Sequence, residues 1–196
     1  MTTPVVPTVN LRDLIKEEYK KCLISPEYFM RKYCYIQHMT RGRMLFSLYK
    51  YQSDAINTLE NNDRVIVLKA RQLGFSTLVS CYALWQTLFF SDKNILVIAT
   101  KQEIAKNIIT KARFAYDHLP VWLRTQCTEN NKLNLRFKNG SQIKATSSSG
   151  DAGRSEAVSL LIIDEAAFID NAEEIWISSQ ATLATGGKAV LISTPN

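Results

Sequence analysis

The chain has 196 residues, room for one α/β domain with a small appendage, and its 46% hydrophobic and 21% charged residues exclude a disordered polypeptide. Its most apolar stretch, Leu78 to Phe90, is interrupted by Ser80, Gln86 and Thr87 and falls short of the ~20 residues of a bilayer span, so no membrane segment is expected. The formal charge of +6 suits a polyanionic partner and equally a merely basic protein, because the Lys and Arg residues are scattered.

The opening MTTPVVPTVNLRD has neither a basic head nor an apolar run with a small-residue cleavage site, so a cytoplasmic location is expected. Cys22, Cys34, Cys81 and Cys127 show no C-x-x-C spacing and no His at metal distance, which points to reduced thiols without zinc.

In chain order, a helix is expected from about Leu11 to Cys22 with Leu14, Ile15 and Tyr19 on its apolar side. Ser25-Pro26-Glu27 starts a second helix, with Ser as N-cap and Pro at the first helical position, where its missing N–H is harmless. Short β-like pieces broken at Arg41-Gly42 follow, then a helix from about Gln52 to Asn61. Residues 1–50 read as an arm and a small helical lid or side subdomain, and 51–196 as the core. From Arg64 the pattern becomes unalternated apolar runs separated by helical stretches, the signature of parallel strands buried on both faces. The strands are Arg64–Leu68, Asn94–Ala99, Ser159–Ile163 and Lys188–Ser193, with crossover helices at about Ser76–Phe90 and Gln102–Asp117. The second helix carries Ile104, Ile108, Ala112 and Ala115 at helical spacing. Alternation at Leu133, Leu135 and Phe137, then Asn139-Gly140, predicts a peripheral antiparallel hairpin with a type I′ turn. The fold class is therefore α/β, with a mostly parallel central sheet flanked by helices.

Two segments carry chemistry. VIVLKARQLGFST runs strand, loop, helix and aligns with the phosphate-loop pattern if Lys69 takes the first Gly position, Gly74 the second, Phe75 the usual Lys and Ser76 the hydroxyl. Lys69, Ala70, Arg71, Gln72, Leu73, Gly74, Phe75, Ser76 and Thr77 are then the candidate ATP-binding residues. Phosphate binding needs loop N–H groups at a helix N-terminus, a cation and a hydroxyl for Mg²⁺, and Lys69 and Ser76 or Thr77 can supply the last two. Taken alone, the segment is equally an innocent strand-loop-helix. Leu160–Glu165 is an apolar run ending in two acids at the carboxyl edge of the sheet, where α/β ligands gather. Taken alone, such acids can instead cap the helix that follows a strand; with the loop, the pair assigns Asp164 to Mg²⁺ through water and Glu165 to the attacking water.

Arg71 and Arg154 are candidates for stabilising charge on the transferred phosphoryl group. Arg71 can equally be a solvated loop residue, and Arg154 a salt-bridge or DNA-phosphate residue. Gln52 can pair with N6 and N7 of adenine, or simply start a helix. Ser193, Thr194 and Pro195 end the last strand near the expected γ-phosphate edge.

With these residues in place the chain resembles the large terminase subunits of tailed double-stranded DNA bacteriophages. The resemblance rests on Tyr51-Gln52, KARQLGFST, HLPVWL at 118–123, LRFKNGSQIKATSS, DAGRS at 151–155, LLIIDEAAFIDNAEEIW and ISTPN, in this order. It implies a P-loop ATPase of the additional-strand, catalytic-glutamate type that uses ATP and Mg²⁺. It assigns phosphate and metal binding to Lys69, Arg71, Gly74, Ser76 and Thr77, catalysis to Asp164 and Glu165, coupling to Ser193–Pro195 and adenine reading to Gln52. The partners implied are double-stranded DNA, the viral portal, the small terminase subunit and further copies in a ring, in the host cytoplasm. Phe75 departs from the relatives that keep Lys after the Gly. Because the family continues into a nuclease domain and no three-carboxylate site can be placed here, an N-terminal portion without nuclease activity is expected. A superfamily 2-like helicase or a docking module without turnover shares enough of these motifs to compete.

Overall fold

The computed structural model describes residues 10–148, 157–184 and 186–196. Helices α1 (Leu11–Ile24) and α2 (Pro26–Tyr33) meet at one residue that ends the first and starts the second. The Ser25 N–H donates to the Lys21 carbonyl at 3.1 Å, while the Ser25 hydroxyl oxygen accepts from the Tyr28 N–H at 3.0 Å. Pro26 occupies the first turn as expected. A two-stranded ribbon, β1 (Tyr35–His38) and β2 (Gly42–Leu45), turns at the Arg41-Gly42 break, and α3 (Lys50–Asn61) follows.

The central sheet holds seven strands: β3 (Arg64–Leu68), β4 (Asn94–Ala99), β5 (Cys127–Asn130), β6 (Asn134–Phe137), β7 (Gln142–Ser147), β8 (Leu160–Asp164) and β9 (Lys188–Ser193). Their spatial order is β3-β9-β8-β4-β7-β6-β5, parallel from β3 through β7 and antiparallel beyond. Helices α4 (Phe75–Phe89), α5 (Gln102–Asp117) and α6 (Ala172–Leu183) complete the layers. β9 lies between β3 and β8, so one added strand separates the phosphate-loop strand from the acidic strand.

Nearly the whole of α4 is buried, which accounts for its being the most apolar stretch of the chain. The N-terminal helices contribute to the same core: Cys22, Phe29 and Met30 are fully buried with Leu78, Cys81 and Leu84, and the Trp85 indole N–H donates to the Cys22 carbonyl at 2.8 Å. That bond satisfies a group that could not otherwise be buried cheaply.

The antiparallel hairpin lies towards one end of the sheet as expected, and β7 joins it to the parallel part by also pairing with β4. One feature of the hairpin needs correction. Its turn is not type I′: only Gly140 has positive φ, at 83°, and a three-residue loop closes with Phe137 N–H on the Ser141 carbonyl. The Asn139 side chain is occupied elsewhere, its amide donating to the Thr87 and Phe90 carbonyls and pinning the turn to the end of α4. β5 and α6 lie outside the expected elements. β5 is a polar edge strand with a bulge between Cys127 and Glu129, and α6 buries only Ile175, Ser179 and Leu183.

Candidate functional site

β3 ends at Leu68, and the ladder continues one residue further through the Lys69 N–H, which donates to the Ser193 carbonyl at 3.0 Å. The chain then turns through Gln72 (φ 63°) and Gly74 (φ 72°), both left-handed, before α4 begins. Such turns gather backbone N–H groups at a helix N-terminus, where they can receive an anion.

The loop is braced from behind. The Gln52 amide donates from Nε2 to the Leu73 carbonyl at 3.0 Å while its Oε1 accepts from the Tyr49 N–H at 3.0 Å, and the Tyr51 hydroxyl donates to the same Leu73 carbonyl at 3.1 Å. Gln52 is 1% exposed and does not face the cleft, so in this geometry it holds the loop and does not present an adenine-reading edge. Phe75, in the position of the usual lysine, is buried with its ring 5.9 Å from that of Tyr51. A Cβ at Gly74 would stand 2.8 Å from Gln52 Nε2, in a backbone conformation that L side chains rarely adopt. Gly74→Ala is therefore expected to destabilise the fold by about 1–2 kcal/mol and to weaken anion binding by more than that, as measured by thermal unfolding and nucleotide titration.

The two acids emerge at the end of β8, the first two strands across the sheet from the loop. Asp164 is 2% exposed; one oxygen, Oδ2, accepts from the Ser76 hydroxyl at 3.0 Å, whereas Oδ1 is buried and, among the described residues, has no hydrogen-bond partner. Burial pushes the Asp164 carboxyl up, opposed by the Ser76 hydrogen bond. An orphaned buried carboxylate oxygen beside a hydroxyl is a hard-oxygen donor set of the kind Mg²⁺ takes, so these two residues fit that ion.

Glu165 sits in left-handed backbone at φ 54°, strained for a residue with a Cβ, and its side chain is held at both oxygens. Lys69 Nζ donates to Oε1 at 2.7 Å, and the Thr194 N–H and hydroxyl donate to Oε2 at 3.2 and 3.1 Å. Desolvation opposes the charge, but the Lys69 ammonium and the Thr194 donors outweigh it and hold the Glu165 carboxyl below the usual range. The αL turn makes this possible by aiming Glu165 back across β9 towards Lys69.

The loop, Glu165 and Thr194 line one cleft of roughly 870 Å³, together with Ile36 to Thr40 of the β1–β2 ribbon, Thr100, Ile104, Lys111 and Phe168. Of the expected residues, Lys69, Arg71, Gln72, Leu73, Gly74, Phe75, Ser76 and Thr77 line it. Asp164 stands behind Ser76, and Ala70 is exposed outside the lining. Ser193 is buried, accepting from the Ala167 N–H and donating to the Thr194 carbonyl, and Pro195 is exposed. Arg154 and the DAGRS segment lie outside the described residues. The ion pair between Lys69 and Glu165 was not legible from spacing, because 96 residues separate them.

A loop turning through two left-handed residues into a helix after the first strand of a parallel sheet, with an acid pair on a strand one place beyond an inserted neighbour, is the architecture of a P-loop NTPase of the additional-strand, catalytic-glutamate class. Residues 66–196 match the family described as terminase large subunit, T4likevirus-type, N-terminal, and the chain belongs to that family. Among solved structures it is similar to the HK97 bacteriophage large terminase, at TM-score 0.70 and 19% identity over 88% of this chain and 37% of that one. The Thermus phage P74-26 large terminase ATPase domain gives TM-score 0.63 and 22% identity over 77% of this chain and 66% of that one. A large terminase from a thermophilic bacteriophage, in complex with ATP-γ-S, gives TM-score 0.58 and 14% identity over 75% of this chain and 38% of that one. The chain thus matches between about a third and two thirds of the length of these relatives.

Proposed function

We propose that this chain is the ATP-hydrolysing domain of a terminase large subunit, and that hydrolysis drives double-stranded DNA into a viral capsid. The observation that carries the reading is the convergence of Lys69, Glu165 and Thr194 on one carboxylate beside a Ser76–Asp164 pair at the phosphate loop. Family membership and the ATP-γ-S complex of the thermophilic-phage large terminase support the choice of nucleotide.

The triphosphate lies along the loop N–H groups at the start of α4, with Arg71 exposed at the cleft to meet its charge. Phosphate oxygens compete with Glu165 for the Lys69 ammonium, and binding exchanges one ion pair for another. Glu165, released from Lys69 but still positioned by Thr194, orients a water for in-line attack on the γ-phosphorus and accepts its proton. The bond to the β-phosphate oxygen breaks, leaving ADP and phosphate. Ser76 and Asp164 would hold Mg²⁺, which would supply charge neutralisation at the phosphates. Ser193, Thr194 and Pro195 couple the state of the cleft to β9. Arg154 supplies further positive charge, in its own site or a neighbour's. The partners proposed with this reading are double-stranded DNA, a viral portal, a small terminase subunit and further copies in a ring, in the host cytoplasm, and family membership supports that context; among the described residues no helix is long and apolar enough to cross a membrane.

The test is phosphate release from ATP by the purified chain, with and without double-stranded DNA, beside Lys69→Ala. Turnover that depends on Lys69 is the expected result. Absence of both ATP binding and turnover in the parent chain would overturn the reading.

A further inference from the structure

Lys111 breaks the pattern of its helix. Ile104, Ile108 and Ala115 share its face of α5 at helical spacing, and Ile108 and Ala115 are buried in the core, so the stripe that should be apolar carries one ammonium. That side chain lines the cleft beside Gly74, Ser76 and Thr77, and also a smaller adjoining cavity of roughly 320 Å³ that reaches His38 and Asn107. Among the described residues it has no hydrogen-bond or ion-pair partner, whereas Lys69 is consumed by Glu165 at 2.7 Å. Burial pushes the Lys111 amine down, and the negative field of Asp164 pulls it back. Holding an ammonium in partly dry surroundings without a counter-ion is unfavourable, and a fold tolerates it where an anion arrives.

We propose that Lys111 is a phosphate-binding residue of this site, reaching from α5 to supply the cation that Phe75 does not. The assignment rests on the reading of the cleft as an ATP site. A lysine held on the helix packed against α4 lines the same cleft as Lys69 but comes from a different element, so the polyphosphate is met by one cation from the end of β3 and one from α5. It also explains why a loop with phenylalanine after its glycine remains competent: the charge is provided by the neighbouring helix. An ammonium whose sole purpose were to offset Asp164 would act equally with and without nucleotide.

The experiment is a titration of the parent chain, Lys111→Met and Lys111→Arg with ATP and with AMP, each with Mg²⁺ in excess, beside thermal unfolding without nucleotide. Lys111→Met is expected to weaken ATP binding about tenfold or more and to change AMP binding less than twofold, because a charge-assisted contact to the outer phosphates is lost. Lys111→Arg is expected to keep ATP binding within about threefold, and nucleotide-free Lys111→Met to melt no lower than the parent. ATP binding by Lys111→Met equal to that of the parent overturns the assignment. So does a lower nucleotide-free melting temperature with ATP and AMP weakened alike, which marks a structural lysine. Failure of the parent itself to bind ATP overturns the ATP-site reading and this assignment together.

Discussion

Glu165→Gln is expected to leave ATP binding in place and to slow phosphate release by about 10²–10⁴-fold, the range for loss of a positioned general base. The substitution has a second effect that hydrolysis assays do not see. Lys69 keeps only 7% of its side-chain surface and loses its carboxylate partner, so the nucleotide-free protein is expected to lose about 1–2 kcal/mol. The loss stays below that of a fully buried pair because Glu165 retains 27% exposure. ATP then restores more stability to the variant than to the parent, since its phosphates take the vacated place on Lys69. The pH dependence follows from the depressed Glu165 carboxyl. The pair's contribution is present above the ordinary carboxylate range and disappears as pH falls through the depressed value, so parent and variant melting temperatures converge in acid. Undiminished turnover by Glu165→Gln would remove that residue from the chemistry.

Asp164→Asn is expected to slow hydrolysis by a comparable factor while moving stability the other way. Asp164 is 2% exposed, and one oxygen has no partner among the described residues, so its charge is a burden in the nucleotide-free state. An amide removes that charge and can still accept from Ser76. A gain of about 1 kcal/mol, or about 2–4 °C in melting temperature for a domain of this size, is expected near neutral pH. Because the Asp164 carboxyl is raised, the parent loses stability as pH rises from the ordinary carboxylate range to the raised value, and the advantage of Asn grows across that window. Thermal scans across pH with both variants test the pair. An Asp164→Asn protein that melts lower than its parent at neutral pH would show the buried carboxylate to be stabilising. Two adjacent acids with opposite effects on the resting fold express different assignments: Glu165 is satisfied before the reaction, and Asp164 is not.

Much of this was legible because strands buried on both faces announce themselves as uninterrupted apolar runs. β3, β4 and β9 begin and end at the residues the runs mark, and Ser25 caps α2 as its hydroxyl and the following Pro predict. What sequence could not supply was long-range. The Asn139-Gly140 dipeptide marks a turn, but the Asn side chain is recruited by the end of α4, and that contact sets a different geometry. Nothing in LRF or QIKATS says that the second of them joins β4. β5 is four mostly polar residues at a bulged edge, beyond any periodicity argument. In the site, the phosphate loop and acid pair were readable as motifs, whereas Gln52 carries the right residue for adenine and spends its amide on the loop. The lysine on α5 had a visible signal, a charge within an apolar stripe, that motif-matching passes over.

Lys69, Glu165 and Thr194 form a closed circuit: Lys69 and Thr194 share a carboxylate, and Lys69 is tied through its backbone to Ser193, the residue before Thr194. A circuit of this kind couples two variables that otherwise have nothing in common, the affinity of Lys69 for phosphate and the position of the chain leaving β9. Linkage makes the coupling reciprocal. If phosphate on Lys69 shifts Glu165, and with it the Thr194 that stays bonded to that carboxylate, then a pull on β9 changes how tightly phosphate is held. On the proposed function, mechanical load on this strand would act as a ligand of the site, and nucleotide affinity would report the force carried by β9.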